Sequence, residues 1–321
     1  MITNTPPMRR GTAALALALA AIFGLAPISA PAQQPTQEKP AEQPKSAEQQ
    51  KTGQPPAEGA PAAGTTQSEM DAKVIERLSK LKGRKASDWT AEELAEFVTL
   101  NYGGRRQLST VYNTGREEGR ITLKTGDGEL QGDYVRRFAT GPMMAKDRVR
   151  LDLILETSPK PEDQLRYTIT YNGATVWGAQ NNQYVQPEPG SSAAFKASVL
   201  NDYSALFRYH EEGATLIRGG TKKVVGLETE LLEMTRADGS KVRFYISPKS
   251  YRILHVEYDI PLATGQAPVT FRESYFDWKA FQGVIVPGVR KLRQSDQLVQ
   301  TLTINGAVYG VAHEDTVFLQ V

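Results

Sequence analysis

Three histidines, His210, His255 and His313, are the only imidazoles in a 321-residue chain that has no cysteine. Acid–base, thiolate and metal chemistry therefore have few residues to draw on. The best metal-ligand pair is His255 with Glu257, because positions i and i+2 of a strand point to one side. Two ligands fall short of a site, and the pair reads as surface opposite a face made by Leu254, Val256 and Tyr258. The sequence holds no Gly-x-Ser-x-Gly elbow, Walker loop, His-Glu-x-x-His or Gly-x-Gly-x-x-Gly. The acidic doublets Glu117-Glu118, Glu211-Glu212 and Glu314-Asp315 read as solvated edges, since neighbours on a strand face opposite ways and do not share a proton. Arg105-Arg106, Arg136-Arg137 and Lys222-Lys223 have few stacking aromatics beside them, which assigns them to ordinary surface and excludes a single-strand nucleic-acid groove. No catalytic, cofactor or metal residue is assigned, and the chain is expected not to be an enzyme.

What stands out is an apolar and aromatic excess. Trp177, Tyr203, Leu206, Phe207, Phe244, Leu254, Val256, Tyr258 and Phe271 fit two readings: a plain closed core, or the lining of a cavity for a greasy ligand. A strongly curved sheet encloses space that either side chains or a guest must fill.

The elements that would position these residues follow from periodicity. Val74, Ile75, Leu78 and Leu81 predict a short helix over 71–82, with Gly83 as its stop. Thr90 and Glu93 form a capping box for a second helix, with Leu94, Phe97 and Val98 inward and Gly103-Gly104 at its end. After Arg105 the period becomes two, as in Ile121/Leu123, Val149/Leu151/Leu153, Val242/Phe244/Ile246 and Leu298/Leu302/Ile304. Turns are expected at 126–128, Asn172-Gly173, Asp238-Gly239 and Asn305-Gly306. Ten or eleven strands with short connections predict one antiparallel meander. One helical interruption, Ser192 to His210, must cover something, so helices are expected across the concave side of a curved sheet.

The ends are of another kind. Arg9 and Arg10 precede the apolar run Ala13 to Leu25 and the small residues Ala30-Pro31-Ala32, the order of a secretory signal cleaved after Ala32 or Ala30. From Gln33 to Glu69 there is no Val, Ile, Leu or aromatic residue, and Pro and Gln are scattered among Ala, Glu and Lys, the composition of a disordered linker. The expected organisation is a signal peptide over 1–32, a Pro/Gln-rich linker over 33–69 and a folded domain over 70–321. With 38 Lys and Arg against 36 Asp and Glu, nothing in the charge calls for nucleic acid.

From Thr90 to Val321 the sequence resembles the bacterial outer-membrane lipoprotein-sorting, LolA/LolB-like, periplasmic proteins. The resemblance rests on the order of several pieces: the run Tyr171-Asn172-Gly173-Ala174-Thr175-Val176-Trp177, the strand and turn Phe244 to Ile253 before Glu257-Tyr258, Tyr275-Phe276-Asp277-Trp278 ahead of Gly283 to Pro287, and the closing Asp315 to Phe318. It implies a mainly β, α+β fold: a half-open β-barrel of about eleven antiparallel strands with helices as a lid. It also implies a hydrophobic cavity able to hold acyl chains. The expected function is a periplasmic carrier for a lipid or lipoprotein acyl chains, with peripheral membrane contact. The alternative is a structural or envelope-sensing module that binds a protein partner through the curved sheet.

Overall fold

The computed structural model describes residues 88–320 apart from 127, 159, 161–163 and 262–266, together with Glu76 and Ser79. The signal, the linker and most of the predicted 71–82 helix lie outside the described residues. The capping box does what its spacing predicts: Thr90 Oγ1 accepts from the Glu93 N–H at 3.1 Å and Glu93 accepts from the Thr90 N–H at 2.8 Å. Helix α1 (Ala91–Asn101) buries Leu94, Ala95 and Val98. The Gly103-Gly104 stop turns the chain into a second helix, α2 (Gly104–Thr110), where extended structure was expected.

Strands then follow in two groups. The first is β1 (Thr114–Thr125), β2 (Gly128–Ala139), β3 (Arg148–Leu155), β4 (Leu165–Tyr171), β5 (Val176–Gln180) and β6 (Gln183–Val185). The second is β7 (Thr215–Val224), β8 (Leu227–Thr235), β9 (Lys241–Ile246), β10 (Ile253–Ile260), β11 (Val269–Phe281), β12 (Val284–Gln294) and β13 (Gln297–Tyr309). All pairings are antiparallel, and the order β6-β5-β4-β3-β2-β1-β13-β12-β11-β10-β9-β8-β7 makes one sheet of thirteen strands. Each group is a meander, and the pairing of β1 with β13 joins them. The free edges are β6 and β7, and the only chain between them is the helical interruption.

That interruption is two elements rather than one. Helix α3 (Pro189–Leu200) ends at Asn201, and a 3-10 segment (Tyr203–Glu212) begins at Asp202, whose carboxylate caps it by accepting from the Ser204 N–H at 2.8 Å. Because the chain must pass from one sheet edge to the other, these elements cross the concave face and lid it.

Four hairpins use two-residue turns with both residues at positive φ: Asn181-Asn182, Val225-Gly226, Gln282-Gly283 and Ser295-Asp296. Such turns match the strand twist. Asn305-Gly306, an expected turn, instead lies inside β13, where Asn305 is the extra residue of a bulge facing Glu118 and Gly119. Curvature here needs glycine for space: a Cβ on Gly119 would sit 1.9 Å from the Thr303 carbonyl oxygen, and one on Gly132 2.1 Å from that of Ile154. Gly119→Val is therefore expected to cost ~3 kcal/mol or more, against less than ~0.5 kcal/mol for Gly126→Ala, whose Cβ meets nothing. Urea denaturation of the two variants checks this.

Candidate functional site

The interior splits into an apolar half and a charged half. In the apolar half, Phe244 pairs with Val256 across β9 and β10, and Tyr258 with Phe271 across β10 and β11, their rings stacked at 5.8 Å. The lid residues Tyr203, Leu206 and Phe207 are buried in the same core. Seven of the nine predicted lining residues thus come together, but as packed core; of the seven, only Phe207 also borders a cavity described below.

Two do not join them. Trp177 sits opposite Thr170, in the register of Arg150 and Arg137 on the convex face. It is buried there because the C-terminal 3-10 turn (Asp315–Phe318) folds over it, and its Nε1 donates to the Phe318 carbonyl at 3.2 Å. Leu254 is the extra residue of a bulge, so Ile253 takes its inward place beside Ile246.

The charged half corrects two sequence readings. Glu117 and Arg136 were assigned to surface, yet they face each other across β1 and β2 inside the half-barrel, with Glu117 1% exposed. The Arg136 Nη1 donates to Glu117 Oε2 at 3.1 Å, the Tyr309 hydroxyl donates to Oε1 at 3.1 Å, and Arg290 Nη2 lies 3.6 Å from Oε1. Burial works to raise this carboxyl, but Arg136 and Arg290 outweigh it and hold it below the usual range. Glu273, another inward position, is pushed up by burial despite Arg290. The signal was present in the sequence: Glu117 is in phase with Ile121 and Leu123, Arg136 with Tyr134 and Phe138, and Arg290 with Leu292.

The lid's hinge rests on this cluster. Asp202 lies 3.9 Å from Arg136, the Tyr203 N–H donates to the Tyr275 hydroxyl at 3.1 Å, and the hydroxyls of Tyr203 and Tyr112 are 2.7 Å apart. Three further arginines fasten the lid along its length. Arg236 donates to the Leu200 carbonyl, Arg105 Nη1 to the Phe207 carbonyl at 2.8 Å, and Arg208 Nη1 to both oxygens of Asp147 at 2.7 and 2.8 Å.

Three recesses lie along the lid and share residues at their borders. A groove of about 480 Å³ lies between α2 and the 3-10 segment, bordered by Leu108, Tyr112, Phe207 and Arg208. A constriction of about 20 Å³ shares Tyr112 and Ser204 with that groove, and Arg136 and Asp202 with an inner cavity of about 70 Å³. The inner cavity is bounded by Arg136, Asp202, Glu273 and Arg290, with Leu151 and Phe195 beside them. Pockets for drug-sized ligands run roughly 300–1,000 Å³. With the lid closed, the groove is of that size and the interior is not.

His255 and Glu257 do not form a metal pair. Glu257 lies between Arg243 and Arg272. His255 is buried, not on the surface, with Nδ1 2.8 Å from the Ser274 hydroxyl on the convex face, and neither residue borders any of the three recesses.

No family model and no curated protein matches this sequence. Solved structures do. A DUF1329 family protein from Desulfovibrio piger superposes with a TM-score of 0.50 at 12% identity, covering 72% of this chain and 98% of that one. The fold is LolA-like. A LolA superfamily protein from Nitrosomonas europaea covers 72% of this chain and 98% of its own at 13% identity and a TM-score of 0.45. A domain assigned to the outer membrane lipoprotein-sorting proteins, from Vibrio parahaemolyticus, gives 13% and 0.46 over 72% and 97%. At such identities the likeness is one of fold alone.

Two predictions follow from the LolA-like interior and its convex face. Burial, aided by Arg272 and Arg293, lowers His255 to about 4. A base depressed in the folded state takes up a proton only in the unfolded chain, so stability falls as pH drops below the unfolded value near 6.5. The wild type should lose roughly 2 kcal/mol more than His255→Asn between pH 6.5 and 5, read by urea denaturation at each pH. Arg208→Ala should leave Asp147 without its main partner and raise amide exchange over 203–211 by on the order of tenfold or more, with β8–β10 protected as before.

Proposed function

We propose that this protein is an exported, non-enzymatic binding protein of the cell envelope that carries a lipid or the acyl chains of a lipoprotein. The observation that carries the reading is the set of recesses that the crossover borders, a groove and an inner cavity with a smaller recess sharing residues with both, beside a crossover that polar side chains fasten. A purely apolar lid would be held by the same force that holds the core, and could not open without disturbing it. Hydrogen bonds from charged donors exchange with water at a net cost of about 1.5–3 kcal/mol each, so the arginine fastenings add a separable latch to the burial of Leu206 and Phe207.

Burial supplies the affinity. Each CH2 removed from water contributes ~0.8 kcal/mol, so an acyl chain binds tightly once covered. The signal sequence over 1–32 would deliver the protein to the periplasm. No catalytic role is assigned to any residue, and no cofactor.

A second reading has its own observation. The free edge strand β7 exposes Ile217, and the adjoining hairpin exposes Val225 (73%) and Leu227. An unpaired edge with apolar side chains is a template for a partner strand.

The two readings separate on one preparation. The mature protein, purified from its native envelope without detergent, should carry an acyl compound of defined mass in native mass spectrometry and in lipid extracts. Leu206→Asp with Phe207→Asp, which places charge under the lid, should lose it. A lipid-free, folded protein that also rejects added lipid would turn the assignment to the edge-strand partner.

A further inference from the structure

Arg290 is 5% exposed, and its Nε and Nη2 are buried with no hydrogen-bond partner among the described residues. Its nearest carboxylate oxygen, on Glu117, is 3.6 Å from Nη2, an ion-pair distance too long for a hydrogen bond. A buried guanidinium with idle donors is costly unless something supplies acceptors. Arg290 borders the inner cavity of about 70 Å³, which has room for a few waters or for a carboxylate and its first methylenes.

The path to that cavity has a matching character. Beside the inner cavity lies the recess of about 20 Å³ that shares Arg136 and Asp202 with it and Tyr112 and Ser204 with the groove, which Leu108 and Phe207 border. The inner end is cationic, the middle recess mixes Arg148 and Asp147 with Phe138, Val149 and Val199, and the outer groove offers apolar surface from Leu108, Tyr112 and Phe207. We infer that the inner cavity is a head-group site for a long-chain carboxylate, held by Arg290 and Arg136, with its hydrocarbon chain running through the constriction into the outer groove.

The charge balance favours a single negative charge. The sheet brings Arg136 and Arg290 against Glu117 and Glu273, and burial disfavours the ionised form of Glu273. The remaining carboxylate, Asp202, belongs to the lid; its short bonds go to Ser204, and its approach to Arg136 is only 3.9 Å. A ligand carboxylate takes the idle donors of Arg290 and displaces the Asp202 carboxylate from Arg136, while Ser204 and Phe207 stay over its chain. A dianionic phosphate would face Glu117 and Glu273 with one charge too many.

This inference rests on the carrier reading and names its substrate class. The test is the affinity of the full mature chain for hexadecanoate, its methyl ester and acetate, measured by titration calorimetry below the micellar range. Hexadecanoate should bind at least tenfold tighter than the ester, and acetate should not register at millimolar concentration. Arg290→Gln should reduce the preference for acid over ester to less than threefold. In the unmodified protein, carboxyl-13C hexadecanoate should titrate below its ordinary range when bound, which reads the arginine contact without any variant. Equal binding of acid and ester with an unshifted carboxyl would overturn the head-group site and leave the carrier reading standing. Acetate binding as tightly as hexadecanoate would overturn it in favour of a small-anion site. Binding of neither long-chain ligand would overturn both readings.

Discussion

Glu117 is the carboxylate on which the two halves of this sheet converge. It lies on β1, takes a hydrogen bond from Arg136 on β2 and another from Tyr309 on β13, and stands beside Arg290 on β12. A buried carboxylate is tolerated only where such partners are fixed in place, so the pairing of β1 with β13 and the charge cluster depend on each other. Removing either guanidinium would leave Glu117 buried with one arginine and the Tyr309 hydroxyl to offset its desolvation. The arrangement is a poor way to gain stability and a good way to fix register where the N-terminal and C-terminal strands meet.

The unclosed sheet sets the rest. Thirteen strands with free edges at β6 and β7 leave a concave apolar face, and the connection between those edges has to cross it. The crossing segment is partly core and partly latch. Leu206 and Phe207 bury as core residues do, while Arg105, Arg208 and Arg236 hold the same segment through carbonyls and carboxylates. The closed lid and the charge cluster share Asp202 and Tyr203, so movement of one is felt by the other.

The likeness to the solved DUF1329 family protein is one of architecture, at an identity of 12%. What distinguishes this interior is its division. The half containing Phe244, Val256, Tyr258 and Phe271 is filled by its own side chains, and the open space lies on the other side, next to arginines. Function in such a fold is set by what the interior will accept, and here that is a site with both charge and grease.

Much of the fold was legible in the sequence. Period-two runs gave the strands, Thr90 and Glu93 gave the first helix start, and the break between Ser192 and His210 gave the crossover. These are local signals, and local chemistry decides them. What was misread has a shared cause. Glu117 and Arg136 were taken for surface because a charged residue is costly inside unless its partner is there, and the partner was 19 residues away on another strand. Trp177 was taken for interior because nothing near it in sequence shows that Phe318 covers the convex face. Leu254 was placed inward because a bulge changes the phase of a strand without a distinct composition. The sequence by itself determined which segments are strands and which face of each is apolar. Only the tertiary structure decided which charges lie inside and where space is left, because burial of a charge or a void is a property of several strands brought together.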